Sequence, residues 1–287
     1  MLTRFLISLQ YFRLDGVHED FPIDDLILAQ NQTDSLRGWL FSEELIKIAG
    51  TTFIEWFTKY PYLYSIEDVN SLEQVPPKCE YYQSKINTLL SLLWFIKDNS
   101  ANLFSLIGYI PEANHQVFHR SPKSAYSNSS GSYSDQSFTI EEIEKVARIS
   151  QSIAKYSRPR TSVQRPPWDG TPSISDTKFH YLLYNENNRI EKALNFLNMA
   201  RSNSFLPLKI ALYFSVFEAI FTTDDAGLSH KIAERASLYL GGGFEEKIDN
   251  FKKIRKAYDI RSKFYHGQNL SNKHDTRDKL VPISNYL

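Results

Sequence analysis

Leu206-Pro207-Leu208-Lys209-Ile210-Ala211-Leu212-Tyr213-Phe214-Ser215-Val216-Phe217-Glu218-Ala219-Ile220-Phe221 is apolar on nearly every side of a helical wheel, with Pro207 suited to a first turn and Glu218 as its only acid. A helix of that kind has to be enclosed by others, so the stretch predicts the centre of a helical bundle. Before it, Asn187 to Arg201 repeats Ile190, Ala193, Leu194 and Leu197 on one face. After it, Leu228 to Leu240 stops at the breaker Gly241-Gly242-Gly243. Glu245 to His266 is the longest helix, with Phe251, Ile254, Tyr258 and Tyr265 on a three-four seam and Gly267 as its stop. Asn272 to Leu287 makes a short last helix, and residues 185–287 together read as one helical domain.

Upstream, Arg158 to Pro172 holds four prolines and reads as an extended linker closing an N-terminal region, 1–172, of unassigned role. Helical spacing runs from Ser42 to Tyr60 through Leu45, Ile48, Ala49, Phe53, Trp56 and Phe57, until Pro61. A second run, Tyr81 to Asp98, follows the Pro76-Pro77 break, and a third begins at the N-cap Thr139 and lasts to about Tyr156. Residues 109–138 lose the pattern in Ser, Asn, Gly and Tyr and read as a loop or hairpin, with Gln116 to Arg120 as a short strand. The expected fold class is therefore mainly α: a C-terminal helical bundle after a mostly helical N-terminal region with a small irregular or β segment.

The charge balance, 33 basic against 33 acidic residues, gives no global attraction to nucleic acid, so any such contact has to be local. The one cysteine, Cys79, excludes an intrachain disulfide and a cysteine-built metal site, and points to a reducing compartment, the cytoplasm. Phe5 to Leu9 is followed at once by Gln10 and Arg13 without a small-residue cleavage site, which makes a poor signal peptide. Leu206 to Phe221 carries Lys209 and Glu218 and is too short for a bilayer, so no membrane partner is expected. His115, His119, His180, His230 and His274 lack ligand spacing and the triple glycine lacks a P-loop ending; neither metal nor cofactor is expected.

Chemistry concentrates at Arg261-Ser262-Lys263-Phe264-Tyr265-His266-Gly267. Arg13-Leu14-Asp15-Gly16-Val17-His18 matches the same Arg-x4-His string, but Asp-Gly interrupts it and no helical pattern surrounds it. Arg261 occupies a seam position that periodicity assigns to an apolar side chain, so it needs a partner or a purpose. Glu218 is expected to pair with Arg235 or Arg261 and, if with the latter, to orient it. His266 lies one turn after Ser262 at a helix C-terminus, where the dipole favours its charged form and Gly267 lets the chain turn away. Five residues separate Arg261 from His266, about 140° around the helix, so convergence on one phosphate calls for the reach of the arginine, a distorted helix end or a second copy of the motif. Lys252, Lys253, Arg255 and Lys256, with Lys263, form a basic run suited to an RNA backbone.

Phe214 to Phe221, Ser229 to Ala236 and Ala257 to Gly267 resemble, in order and spacing, the HEPN domains of the Apea-like group, over roughly the last hundred residues. The resemblance implies a metal-independent ribonuclease of antiphage defence or a toxin–antitoxin system, active as a homodimer, with an antitoxin or regulatory protein as a further partner. It assigns catalysis to Arg261 and His266; by the chemistry of the residues themselves, Ser262, Lys263 and Glu218 support them and the basic run binds RNA. Ser262 departs from the Asn, Asp or His often found after the motif arginine but keeps hydrogen-bonding ability, and the last helix is short for the family. Trp94-Phe95-Ile96-Lys97-Asp98-Asn99-Ser100 also resembles longer proteins carrying this domain, with no chemistry attached. Two other readings follow from the same residues: a catalytically silent module that binds nucleotide or protein, and a dimerising sensor.

Overall fold

A computed structural model describes residues 1–16, 20–30, 42–122, 125–156, 188–222, 227–271, 274 and 276–287. The chain forms two compact units, 1–149 and 150–287. The linker expected at 158–172 and His18 lie outside the described residues.

The first unit overturns the mainly α expectation. Its centre is a six-stranded antiparallel sheet of order β3-β4-β5-β1-β6-β7, built from β1 (Leu2–Gln10), β3 (Phe21–Ile23), β4 (Leu26–Ala29), β5 (Tyr62–Asp68), β6 (Asn102–Ile110) and β7 (Gln116–Arg120). A separate parallel pair joins β2 (Phe12–Leu14) to β8 (Gln136–Phe138). The run Phe5 to Leu9 is the middle of β1, paired with β5 on one side and β6 on the other, and all five residues are buried. A strand covered on both faces needs no polar alternation, which is why periodicity did not reveal it. Gln116 to Arg120 is a strand as expected, and its hairpin partner is β6.

Helices cover both faces of this sheet. Leu6, Tyr62, Tyr64, Ile107 and Tyr109 pack on Leu45 of α1 (Glu43–Ala49) and on Ile54 and Phe57 of α2 (Thr51–Lys59). The single helix expected from Ser42 to Tyr60 is thus two, divided at Gly50, whose φ of 84° is a left-handed backbone. On the other face lies α3 (Val75–Leu92), which starts before the expected break: Pro76 and Pro77 occupy its first turn, where no N–H is needed. It approaches β6 so closely that a Cβ added at Gly108 would lie 2.9 Å from Val75 Cγ1 and 3.1 Å from Cys79 Sγ. Burial there pushes the Cys79 thiol up to about 12, against a smaller opposing pull from Arg120.

The Trp94–Ser100 stretch ties the long loop before β8 to the start of β6. Asp98 accepts from the N–H and hydroxyl of Ser129 at 2.8 and 2.6 Å, Ser100 exchanges hydrogen bonds with Ser134, and Asn102 does so with Tyr126. The stretch therefore acts on loop geometry in this unit. Helix α4 (Ile140–Tyr156) begins where Thr139 was expected to cap it, through a reciprocal Thr139–Glu142 pair of 3.0 and 3.3 Å.

Among its described residues from 188 onward, the second unit carries α5 (Arg189–Arg201), α6 (Leu206–Phe221), α7 (Leu228–Leu240) and α8 (Phe244–Tyr265) close to the expected places, and α9 (Arg277–Tyr286), which starts five residues later than the expected Asn272. Ile210 and Phe214 of α6 form one core with Ile232, Ala233 and Ala236 of α7, Ile254, Ala257 and Ile260 of α8, and Leu280 and Ile283 of α9. No described helix is long and apolar enough to cross a membrane.

Gly108→Ala tests the packing of α3 on the sheet: the added methyl forces Val75 or Cys79 to move, and stability should fall by about 1–3 kcal/mol. The urea midpoint measures it, and an unchanged midpoint would mean that helix and strand are not in such close contact.

Candidate active site

Helix α8 turns one face to the core and another to solvent. Ile254, Ala257 and Ile260 are buried, whereas Lys252, Lys256 and Asp259 are exposed. At ~100° per residue, Lys252, Arg255, Lys256 and Lys263 all fall within about 80° of His266, while Arg261 points to the core side. Lys253 stands apart from this ridge: it pairs with Asp249 at 2.6 Å and lies 4.7 Å over the Tyr286 ring, so much of its charge is already engaged.

Arg261 is held from two directions. Its Nη2 lies 3.1 Å from both carboxylate oxygens of Glu218 on α6, and its guanidinium sits 4.9 Å over the ring of Tyr265, one turn further along α8. Both partners of the ion pair are mostly shielded, with 27% of the Arg261 side chain and 20% of the Glu218 side chain exposed. Glu218 is the only acid of an apolar helix, so it demands a cation, and of the two arginines the sequence offered it is Arg261 that bonds to it; Arg235 donates to the Phe221 carbonyl. The buried Nε–H of Arg261 has no acceptor among the described residues, which leaves donor capacity beyond the Glu218 contact.

His266 is the C-cap of α8 and is exposed. The chain leaves the helix by a Schellman turn: Gly267, at φ 64°, donates to Phe264 O at 3.1 Å, and Gln268 donates to Lys263 O at 2.9 Å. Two backbone bonds thus fix the ring's attachment point while the ring itself faces solvent. Ser262 shares that face and its carbonyl accepts from the His266 N–H at 3.1 Å. Within one chain the structure does not bring Arg261 and His266 together: the first is directed at Glu218, the second outward.

The remaining candidates resolve into structural roles. Arg13 spends its guanidinium on Asp135, at 3.0 and 2.7 Å, and on the Lys59 carbonyl, and covers the Tyr60 ring. His115 bonds to the Tyr109 hydroxyl and His119 to that of Ser105, each at 2.8 Å. Among the described residues no three His, Cys, Asp or Glu are grouped to hold a metal ion. His180 lies outside the described residues.

Sequence reasoning missed the part played by Tyr265, which was read as a core residue of the seam. The signal was its place four residues after Arg261, the spacing at which helical side chains meet. It also missed two fully buried cations, Arg201 and Lys209; Lys209 donates to the carbonyls of Ala200 and Asn203 at 3.0 and 3.2 Å and closes the α5–α6 turn. Compared with known proteins, the chain matches no family model, no curated protein and no solved structure.

Proposed function

We propose that the C-terminal bundle is a HEPN-type, metal-independent RNA endonuclease that works as a homodimer. The observation that carries the reading is an arginine braced by Glu218 and Tyr265 five residues before an exposed histidine at a rigid turn. In the proposed reaction His266 removes the proton of a ribose 2′-hydroxyl, and that oxygen attacks the adjacent phosphorus. The bond to the 5′-oxygen breaks and the leaving oxygen takes up a proton, giving a 2′,3′-cyclic phosphate and a 5′-hydroxyl. Arg261 meets the negative charge building on the phosphoryl oxygens. Lys263 and Ser262 position the phosphate, and Lys252, Arg255 and Lys256 draw in the backbone, with Lys253 secondary because of Asp249.

The 140° between Arg261 and His266 is the reason for a dimer: about a two-fold axis near the end of α8, Arg261 of one subunit meets His266 of the other. The setting implied by the resemblance is antiphage defence or a toxin–antitoxin pair, with an inhibitory protein as partner. One observation favours a second reading, a catalytically silent module that binds nucleotide or protein: Arg261 already has a carboxylate partner within its own chain.

The two readings separate on total RNA. His266→Ala and Arg261→Ala should each lower cleavage at least ~100-fold, while Arg13→Ala lowers the stability of the first unit and spares the activity of folded protein. Cleavage should survive EDTA, leave 5′-hydroxyl ends and spare DNA, which lacks the nucleophile. A 5′-phosphate product would sink the mechanism, and intact RNA after prolonged incubation would favour the silent module.

Glu218→Gln keeps the shape of the Arg261 contact and removes its charge. Melting should show a loss of about 1–3 kcal/mol, because a half-buried guanidinium loses its counter-ion. Cleavage should fall about tenfold through weaker positioning, a change of roughly 1.4 kcal/mol in the barrier. Wild-type cleavage in the folded variant would restrict Glu218 to a structural role.

A further inference from the structure

Three and four residues after His266, Asn269 and Leu270 line a cavity of about 600 Å³ at the start of α6. Its floor is apolar, from Leu270 and the buried Leu280 of α9. Its rim carries an amide, a hydroxyl and a cation, from Asn269, Ser204 and Arg277, all exposed. At its mouth stands Phe205, with 60% of its surface open to solvent. A large aromatic residue that exposed contributes little to the core, so its value lies in what it can contact.

Phe205 is also the end of an aromatic path leading from the candidate site. Arg261 covers the Tyr265 ring at 4.9 Å, Tyr265 and Phe264 are 5.7 Å apart between ring centres, and Phe264 and Phe205 are 6.0 Å apart. The Schellman turn at Gly267 fixes the second connection, from His266 to Asn269 along the backbone. Cavity and motif are thus tied to each other twice, by neighbouring rings and by a short length of chain that backbone bonds hold as far as Gln268.

We infer that this cavity is a base subsite of the proposed ribonuclease: it takes one unpaired nucleobase next to the scissile phosphate, stacked on Phe205. The inference rests on the ribonuclease reading and adds the place where the base beside the cut is held. A nucleotide has a flat face, an edge of hydrogen-bonding groups and an anionic tail, and these match the exposed ring, the Asn269 and Ser204 rim and the Arg277 cation in turn. A paired base cannot enter, because its face is stacked and its edge is occupied within the duplex. Stacking tolerates any base, while an amide at the rim gives a preference among them.

Two measurements on the full chain test this. A single-stranded oligoribonucleotide carrying 4-thiouridine, irradiated with the His266→Ala protein, should crosslink to the peptide containing Phe205. A fully paired duplex of the same sequence should not. With the intact catalytic residues, Phe205→Ala should raise KM about tenfold and leave kcat within about twofold, and Phe205→Trp should restore KM. The ring is exposed, so neither variant disturbs the core. Cleavage by the wild type with crosslinks elsewhere and an unchanged KM overturns the subsite and leaves the ribonuclease standing. Crosslinking at Phe205 in a chain that cuts nothing keeps the subsite and overturns the cleavage reading. No binding and no cutting overturn both.

Discussion

Helix α6 is apolar on nearly every side with Glu218 as its only acid, and that imbalance organises the second unit. Enclosing the apolar surface requires neighbours all round, which α5, α7, α8 and α9 supply. The one carboxylate then needs a cation from a neighbour, because a lone buried charge is costly. Arg261 answers that need, and in doing so it fixes the rotation of α8 about its axis. Ile254, Ala257 and Ile260 face inward, and Lys252, Lys256 and His266 face outward. The ion pair is therefore as much a register pin for the long helix as a feature of chemistry.

This dependence explains why the C-terminal unit was legible in the sequence. Its signals are local: Asn188 caps α5 through a reciprocal bond with Glu191, Pro207 opens α6, and glycines close α7 and α8. Each helix boundary follows from residues within a turn of it. The pairing of Glu218 with Arg261 was legible for a similar reason, since an acid in an apolar helix restricts the choice to very few cations. The exposure of Phe205 was not legible, because nothing in the sequence tells an aromatic residue at a helix start whether its ring faces core or solvent.

The first unit was misread because its information is non-local. The strands β1, β5 and β6 are neighbours in the sheet although some 60 to 100 residues separate β1 from its partners in sequence. Buried on both faces, Phe5 to Leu9 and Leu106 to Ile110 show an apolar run that a helix segment could share. The helices meanwhile were seen but misplaced, because Pro76 and Pro77 in the first turn of α3 read locally as a break before it, while the break at Gly50 between α1 and α2 was read through. Tertiary pairing decided what local pattern left open.

The central claim is that two chains share the chemistry, each giving Arg261 to one site and His266 to the other. Mixing purified Arg261→Ala and His266→Ala proteins after joint unfolding and refolding tests it most directly. Half of the dimers are then mixed, and each mixed dimer rebuilds one intact site of two, so RNA cleavage should return to about one quarter of the wild-type rate. If the mixture dimerises and stays as inactive as either variant alone, the site does not form across the two-fold axis and the account is wrong.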